Sequence, residues 1–267
     1  MKFKISLSAE DPKIFPKKIF KGVGMIRGEY LVKKYGMYVT KPKMQSIIRN
    51  YIIAAAEYFE PYDVWYRTIE LPTHSINELE GVDHKIEEKT PMEGLRGVRR
   101  CLKYPKTFIK ELRIASDLSQ RYQNVHILFP FLYDVSELEK IKCALKKIGY
   151  KNKIGIMTEI PSTILCLDKF CKNGVDNITI GLNDLTEFTL GSDRFLDIYN
   201  RNHPAVRKLI SMARDMGKDY SIETVLGGDI DKKTFMYAKS LRFDAITLFS
   251  KDIKIIKNLD VPNVKLL

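Results

Sequence analysis

The chain has 267 residues, 45% of them apolar, which is enough for a sizeable core and excludes disorder as the default state. One (β/α)8 barrel typically takes ~250 residues, so the length fits a single such domain. Lys and Arg outnumber Asp and Glu by 45 to 33, giving a net charge of +12. That balance favours anionic partners or substrates, but no basic stripe interleaved with stacking aromatics points to nucleic acid, and the lysines are scattered along helical segments as on a solvated face.

The opening MKFKISLSAEDP carries no hydrophobic signal region, and no apolar run approaches the ~20 residues a membrane helix needs. The expectation is a soluble, cytoplasmic protein with no membrane partner. Phe3, Ile5 and Leu7 alternate with polar residues, which predicts a first strand over Lys2–Ser8. A short helix is expected over Pro12–Phe20 and a second strand over Gly22–Ile26, ending in Arg27 and Glu29. Lys41–Phe59 has apolar residues at helical spacing. Val64–Leu71 (VWYRTIEL) reads as the third strand, and Arg67 within it must reach a partner. His74–Lys89 is polar and charged and is expected to be a long loop or flap.

Pro105–Tyr122 is predicted to be a helix opening at proline. His126–Phe131 is the fourth strand, and Val135–Ile148 its helix. A fifth strand begins at Gly155. A helix over Pro161–Lys172 follows, and then a sixth strand that ends just before Asn183. His203–Met216 is helical, Tyr220–Val225 is the seventh strand, Ala245–Phe249 the eighth, and Lys251–Leu259 closes the ring. Eight strand-like runs alternating with helices predict an α/β fold, a single (β/α)8 TIM barrel. No repeat, low-complexity tract or linker divides it, so residues 1–267 are expected to form one domain. Cys101, Cys143, Cys166 and Cys171 fit no zinc spacing and are read as buried, reduced thiols in helical segments. Arg99 and Arg100 are read as surface charges.

The stretch from Gly155 to Arg194 concentrates the chemistry. Strand–helix–strand order places Glu159 and Asp184 at the carboxyl ends of neighbouring parallel strands, where α/β folds build their sites. Two carboxylates there suit a hard divalent cation, with Asn183 either a neutral oxygen ligand or a substrate donor. Arg194 can return a guanidinium to the same mouth and grip an anion. Gly94 and Gly97 flank Arg96 and let backbone come close to a ligand, and two arginine forks, Arg67 and Arg96, suit a phosphate. Arg27 is either catalytic or part of an ion pair at a strand end.

Several of these segments resemble one family. G-I-M-x-E-x-P followed by I-G-x-N-D-L-T-x-[FY]-T-L-x-x-D-R is similar to the barrel of the phosphoenolpyruvate-utilising enzymes, shared by phosphoenolpyruvate synthase, pyruvate phosphate dikinase and enzyme I of the sugar phosphotransferase system. GVGMIRGEYL resembles the family's G-x-G-L-x-R-T-E-F-L, with Gly28 where Thr is usual. TPMEGLRGVRR resembles N-P-M-L-G-x-R-G-x-R, with Thr90 for Asn and Glu93 for Leu. ELRIAS resembles Q-L-R-A-I, which marks Arg113 as structural or as a support behind the site residues, and HPAV is also similar.

The resemblance implies that Arg67 and Arg96 are catalytic and bind the phosphoryl group, that Met157, Asn183 and Arg194 contact substrate, and that Glu159 and Asp184 hold Mg²⁺ or Mn²⁺. It implies phosphoenolpyruvate or pyruvate as ligand and a Mg-dependent phosphotransferase half-reaction. The family's ATP-grasp and phosphohistidine domains are not in this sequence. The expected partner is therefore a separate polypeptide carrying both, with a homodimer as the expected assembly. The family's seventh strand ends in G-x-C-G-E-x-x-G-[DE], and aligning LGGD with that ending puts Glu223 where the proton-donating Cys stands. Glu223 is then either a replacement acid or a structural carboxylate in a redirected or silent site. A diverged barrel with another phosphoryl acceptor, or a regulatory subunit that senses phosphoenolpyruvate, is the competing expectation.

Overall fold

The computed structural model describes residues 1–90 and 92–253. Eight strands, β1 (Lys2–Leu7), β2 (Phe20–Arg27), β3 (Val64–Arg67), β4 (Val125–Phe129), β5 (Ile154–Met157), β6 (Asn177–Gly181), β7 (Glu223–Gly227) and β8 (Ala245–Leu248), pair in sequence order. All pairings are parallel, and β1 closes the ring on β8 with Lys2 opposite Ala245 and Ile5 opposite Leu248. This is the (β/α)8 barrel the sequence predicts.

The helices around it are α1 (Gly28–Tyr35), α2 (Pro42–Phe59), α3 (Thr73–Asn77), α4 (Gly97–Lys103), α5 (Pro105–Ser119), α6 (Val135–Lys147), α7 (Pro161–Leu165), α8 (Leu167–Lys172), α9 (Leu182–Leu190), α10 (Pro204–Asp219) and α11 (Lys232–Ser240). No helix among the described residues is long and apolar enough to cross a membrane.

Strands buried on both faces read as near-continuous apolar runs, and the two faces hold different residues. Ile127, Ile156, Ile178, Ile180 and Ile246 belong to the large outer core, while Met25, Trp65, Leu128 and Met157 form a small inner one. Full burial of one such aliphatic side chain contributes about 1.5–3 kcal/mol, so the shell between sheet and helices supplies most of the apolar stabilisation. Inside the barrel, Trp65 reaches across to Gly155, where a Cβ would lie 2.8 Å from the indole ring.

The floor of the barrel, at the amino ends of the strands, is polar. Lys4 on β1, only 2% exposed, donates to both carboxylate oxygens of Glu223 at 2.7 and 2.8 Å. Asn177 Nδ2 donates to Glu223 Oε2 at 2.8 Å, and Thr179 Oγ1 donates to Asn177 Oδ1 at 2.7 Å. One carboxylate thus links β1, β6 and β7 and offsets the desolvation of a buried ammonium.

Several local expectations are corrected. The seventh strand runs over Glu223–Gly227, so Glu223 opens it instead of lying near its end. The predicted Pro12–Phe20 helix is only a 3₁₀ turn, Pro12–Ile14. Pro16 restricts the residue before it and removes a donor, and Phe15 is extended, at φ −103° and ψ 108°. The predicted Pro161–Lys172 helix breaks into α7 and α8 at Cys166, whose ψ of 20° leaves helical geometry.

The polar stretch after β3 is anchored: it contains α3, and Asn77 exchanges two side-chain hydrogen bonds with the backbone of Ile86. Arg100 is buried and donates to the His84 carbonyl at 2.9 Å, so it is not a surface charge. Of the four free thiols, Cys101 and Cys171 are buried but Cys143 is exposed and Cys166 half-exposed. The predicted closing segment Lys251–Leu259 falls largely outside the described residues.

Candidate active site at the barrel mouth

The carboxyl ends of the strands surround a cavity of about 110 Å³. Arg27, Arg67, Arg96 and Arg194 line it together with Glu70, Glu159, Asn183 and Asp184, while Met25, Met157, Leu182 and Phe249 supply its apolar surface. The sequence-predicted set therefore converges on one place, with one exception. Glu223 is not among these residues; it lies on the floor, bound to Lys4 and Asn177. The carboxyl end of β7 offers Gly227 and Gly228 to the cavity instead. Replacing Glu223 by Gln is expected to leave anion binding at the mouth within about twofold of the parent while lowering stability, because it weakens the Lys4 pair. Parallel calorimetry and thermal melts check this, and selective loss of binding would return Glu223 to the site.

Each guanidinium is held by an acid. Arg67 closes β3 and donates to Glu29 in the first turn of α1, and Arg27 Nε donates to the same carboxylate at 2.9 Å. Arg96 precedes α4. Its Nε donates to Glu70 at 2.5 Å and its Nη2 to Asp184 at 3.1 Å. The Arg96 guanidinium also lies 4.2 Å from the ring centre of Phe131. Gly97 makes that approach possible: its φ is +52°, and a Cβ there would come within 2.7 Å of Phe131 Cβ. Arg194 forks onto Glu187 at 2.5 and 2.9 Å and stands 3.7 Å from Asp184.

The sequence assigns no site role to Glu29, Glu70 or Glu187: Glu29 follows the second strand in RGEY, Glu70 lies in the strand-like VWYRTIEL, and Glu187 falls at an unspecified position of the family pattern. Asn183, by contrast, is committed elsewhere. Its amide donates to Asp229 Oδ2 and accepts from the Asp229 backbone N–H, both at 3.1 Å.

The two carboxylates assigned to a cation differ from the rest. Glu159 is buried and accepts from the Phe131 backbone N–H at 2.8 Å, with no basic side chain within ion-pair distance among the described residues. Gly181 leaves it room, since a Cβ there would lie 2.5 Å from Glu159 Oε2. Burial pushes the Glu159 carboxyl up to about 8, and the Asp184 charge pushes the same way against Arg67. Asp184 is also raised, first by burial and then by Glu70, with Arg96 opposing. Burial disfavours the charge on Glu70 too, but the Arg96 charge and hydrogen bond overcome it and hold Glu70 below its ordinary value.

Two adjacent buried acids that resist ionisation are a donor set that a hard divalent cation fits, because the cation removes the cause of both shifts. No group of three or more His, Cys, Asp or Glu able to hold a metal occurs among the described residues. The remaining ligands would come from substrate or water, as Mg²⁺ prefers.

A closed parallel barrel with arginines and carboxylates at the carboxyl ends of its strands belongs to the (β/α)8 class of α/β proteins. Within that class, this chain belongs to the family described as PEP-utilising enzyme, PEP-binding domain, which matches residues 4–261. It is similar to the phosphoenolpyruvate synthase of Pyrococcus furiosus, 28% identical over 256 residues that cover 89% of this chain and 31% of the relative. The phosphoenolpyruvate synthase of Aeropyrum pernix is 30% identical over 236 residues, covering 76% of this chain and 28% of the relative. The chain thus spans about a third of the length of these relatives. Among solved structures, the magnesium/glyoxylate complex of Haloferax volcanii malate synthase superposes with a TM-score of 0.59 at 11% identity, covering 92% of this chain and 70% of that one. The citrate synthase SbnG gives 0.55 at 14% identity, covering 96% and 89%. At these identities the likeness shows the barrel fold alone.

Proposed function

We propose that this barrel binds phosphoenolpyruvate, or pyruvate as its enolate, and exchanges the phosphoryl group with a phosphohistidine carried by another polypeptide. The observation that carries the reading is the convergence of Arg67, Arg96 and Arg194 with Glu159 and Asp184 on one small cavity. Arg67 and Arg96 neutralise phosphoryl charge through fixed, buried forks that lose little freedom when an anion arrives. Arg194, on the rim, closes on the ligand carboxylate. Met25, Met157 and Phe249 exclude water from the carbon end. Glu159 and Asp184 would hold Mg²⁺ or Mn²⁺, which when bound supplies Lewis-acid stabilisation of the enolate oxygen and the transferred phosphoryl. None of the four histidines lines the cavity, which supports a phosphoryl carrier from outside the barrel.

The test is Arg96→Lys. One ammonium cannot replace a planar fork that spans Glu70 and Asp184, so phosphoenolpyruvate affinity, measured by calorimetry with Mg²⁺, is expected to fall about tenfold or more. Equal affinity would remove the bidentate role.

One observation favours a second reading, a barrel with a different acceptor or one that senses phosphoenolpyruvate. The β7 side of the cavity is Gly227 and Gly228, with Met25 and Phe249 beside them, and none of these can pass a proton to carbon. Under that reading, solvent deuterium does not enter the methyl group of bound pyruvate faster than in solution. Enzyme-dependent exchange would restore the full half-reaction.

A further inference from the structure

Glu111 sits on α5, outside the barrel wall and 2% exposed. Its Oε1 accepts two hydrogen bonds, from the Ile69 backbone N–H at 2.7 Å and from the Tyr66 hydroxyl at 2.9 Å. Both donors belong to the segment that carries the site. Ile69 stands between Arg67 and Glu70, so the bond at Ile69 fixes the backbone where the chain leaves β3 and turns Glu70 towards Arg96. The Tyr66 hydroxyl fills the space beside Gly28, where a Cβ would meet it at 2.8 Å. Gly28 opens α1, and the next residue, Glu29, holds Arg67 and Arg27. One carboxyl behind the wall therefore touches both supports of the phosphate-facing arginines: the Glu70 turn and the packing under Glu29.

We infer that Glu111 is a positioning residue for the anion site, acting on Arg96 through Ile69–Glu70 and on Arg67 through Tyr66–Gly28–Glu29. The inference rests on the anion-binding reading above and names a residue that reading does not use.

The surroundings of Glu111 give the device a titration. The groups facing it are Tyr66, Glu29, Cys101, Tyr38 and Arg100, with Asp83, His84 and Tyr104 lining the same narrow cleft. No basic side chain pairs with it among the described residues, and Arg100 is turned to the His84 carbonyl. Burial pushes Glu111 up to about 7; the two hydrogen bonds oppose this and Glu29 adds to it. Above that value an uncompensated negative charge stands behind the arginines and weakens their hold on an anion. Below it the neutral carboxyl keeps its accepting oxygen. Glu111→Gln copies the neutral state, and Glu111→Leu removes the acceptor, leaving the Ile69 N–H and the Tyr66 hydroxyl unpaired.

The experiment is oxalate binding by calorimetry from about pH 5.5 to about 8.5, a range in which oxalate keeps its charge. It compares the parent, Glu111→Gln and Glu111→Leu, each checked for fold by circular dichroism. Positioning predicts that the parent loses affinity severalfold as pH rises through about 7. Glu111→Gln should bind like the parent at low pH without that step, and Glu111→Leu should bind about tenfold more weakly at every pH, as for loss of an outer partner at a metal site. Glu159 titrates in the same window but equally in all three proteins, so the difference between parent and Gln isolates Glu111. Equal profiles in parent and Glu111→Gln, with Glu111→Leu losing only melting temperature, would overturn this inference and leave the anion reading intact. Failure of the parent to bind oxalate at any pH would overturn both.

Discussion

Asp184→Ala is expected to lower Mn²⁺ affinity, measured calorimetrically with oxalate present, by at least about a hundredfold. On the metal-binding proposal a hard cation at this mouth would have two anionic protein ligands, and removing one would leave Glu159, whose own carboxyl already resists ionisation through burial. The same substitution should leave the fold standing. Arg96 keeps Glu70 and Arg194 keeps Glu187, so no guanidinium is stranded.

A pH dependence accompanies this result. Glu159 must release its proton to bind metal, so Mn²⁺ affinity of the parent should rise with pH up to about 8 and plateau. Metal-free stability should move the other way. The folded carboxyl stays protonated between its ordinary 4.5 and about 8 while the unfolded one ionises, so stability from this group is highest below 4.5 and falls across that window. Mn²⁺ binding undiminished in Asp184→Ala, or stability that rises through the window after the same titration in Glu159→Gln is subtracted, would remove the pair from the metal site.

The second large effect is expected at the other end of the barrel. Lys4→Met should destabilise the protein by about 2–4 kcal/mol, seen as a lower urea midpoint at unchanged slope. Glu223 would keep the Asn177 bond but lose its counter-charge in a largely buried floor. Its carboxylate is 24% exposed, which lets water compensate in part and places the figure below the loss for a fully buried pair. Replacing both members, Lys4→Met with Glu223→Met, should recover most of the loss, since an apolar pair of similar volume has no charge to desolvate. A double variant no more stable than the single one would mean that the floor is held by packing and not by the ion pair.

The barrel was legible because its strands are parallel and buried on both faces, so their apolar runs and punctuation survive in the sequence. The mouth was legible because its residues cluster in short motifs at strand ends. What failed was height along a strand. Glu223, Val225 and Gly227 alternate with the outward residues of β7 and share the inner face, so a reading of the side-chain period cannot separate them. Yet four residues at ~3.3 Å each put Glu223 roughly 13 Å below Gly227, enough to move a carboxylate from mouth to floor. The frame of β7 depends on where Glu223 meets Asn177 across β6, a pairing 46 residues apart that no local pattern encodes. The acids beneath the arginines were hidden for a similar reason. Glu29 appears in RGEY as an ordinary first-turn residue, and only the closed barrel brings it to Arg67.

The Lys4–Glu223 contact spans 219 positions, and this bears on how the chain is made. During synthesis β1 emerges first, but its second neighbour, β8, follows only after more than two hundred further residues. Until then the sheet has two open edges, the state in which strands of different copies pair. The first edge strand carries Lys4 pointing inward, an ammonium that finds no carboxylate until β7 arrives. A charge on the inner face of an unfinished sheet makes intermolecular strand addition unfavourable. The lysine that seals the completed floor is thus also the kind of inward-pointing charge that disfavours strand addition at the open edge of an unfinished sheet.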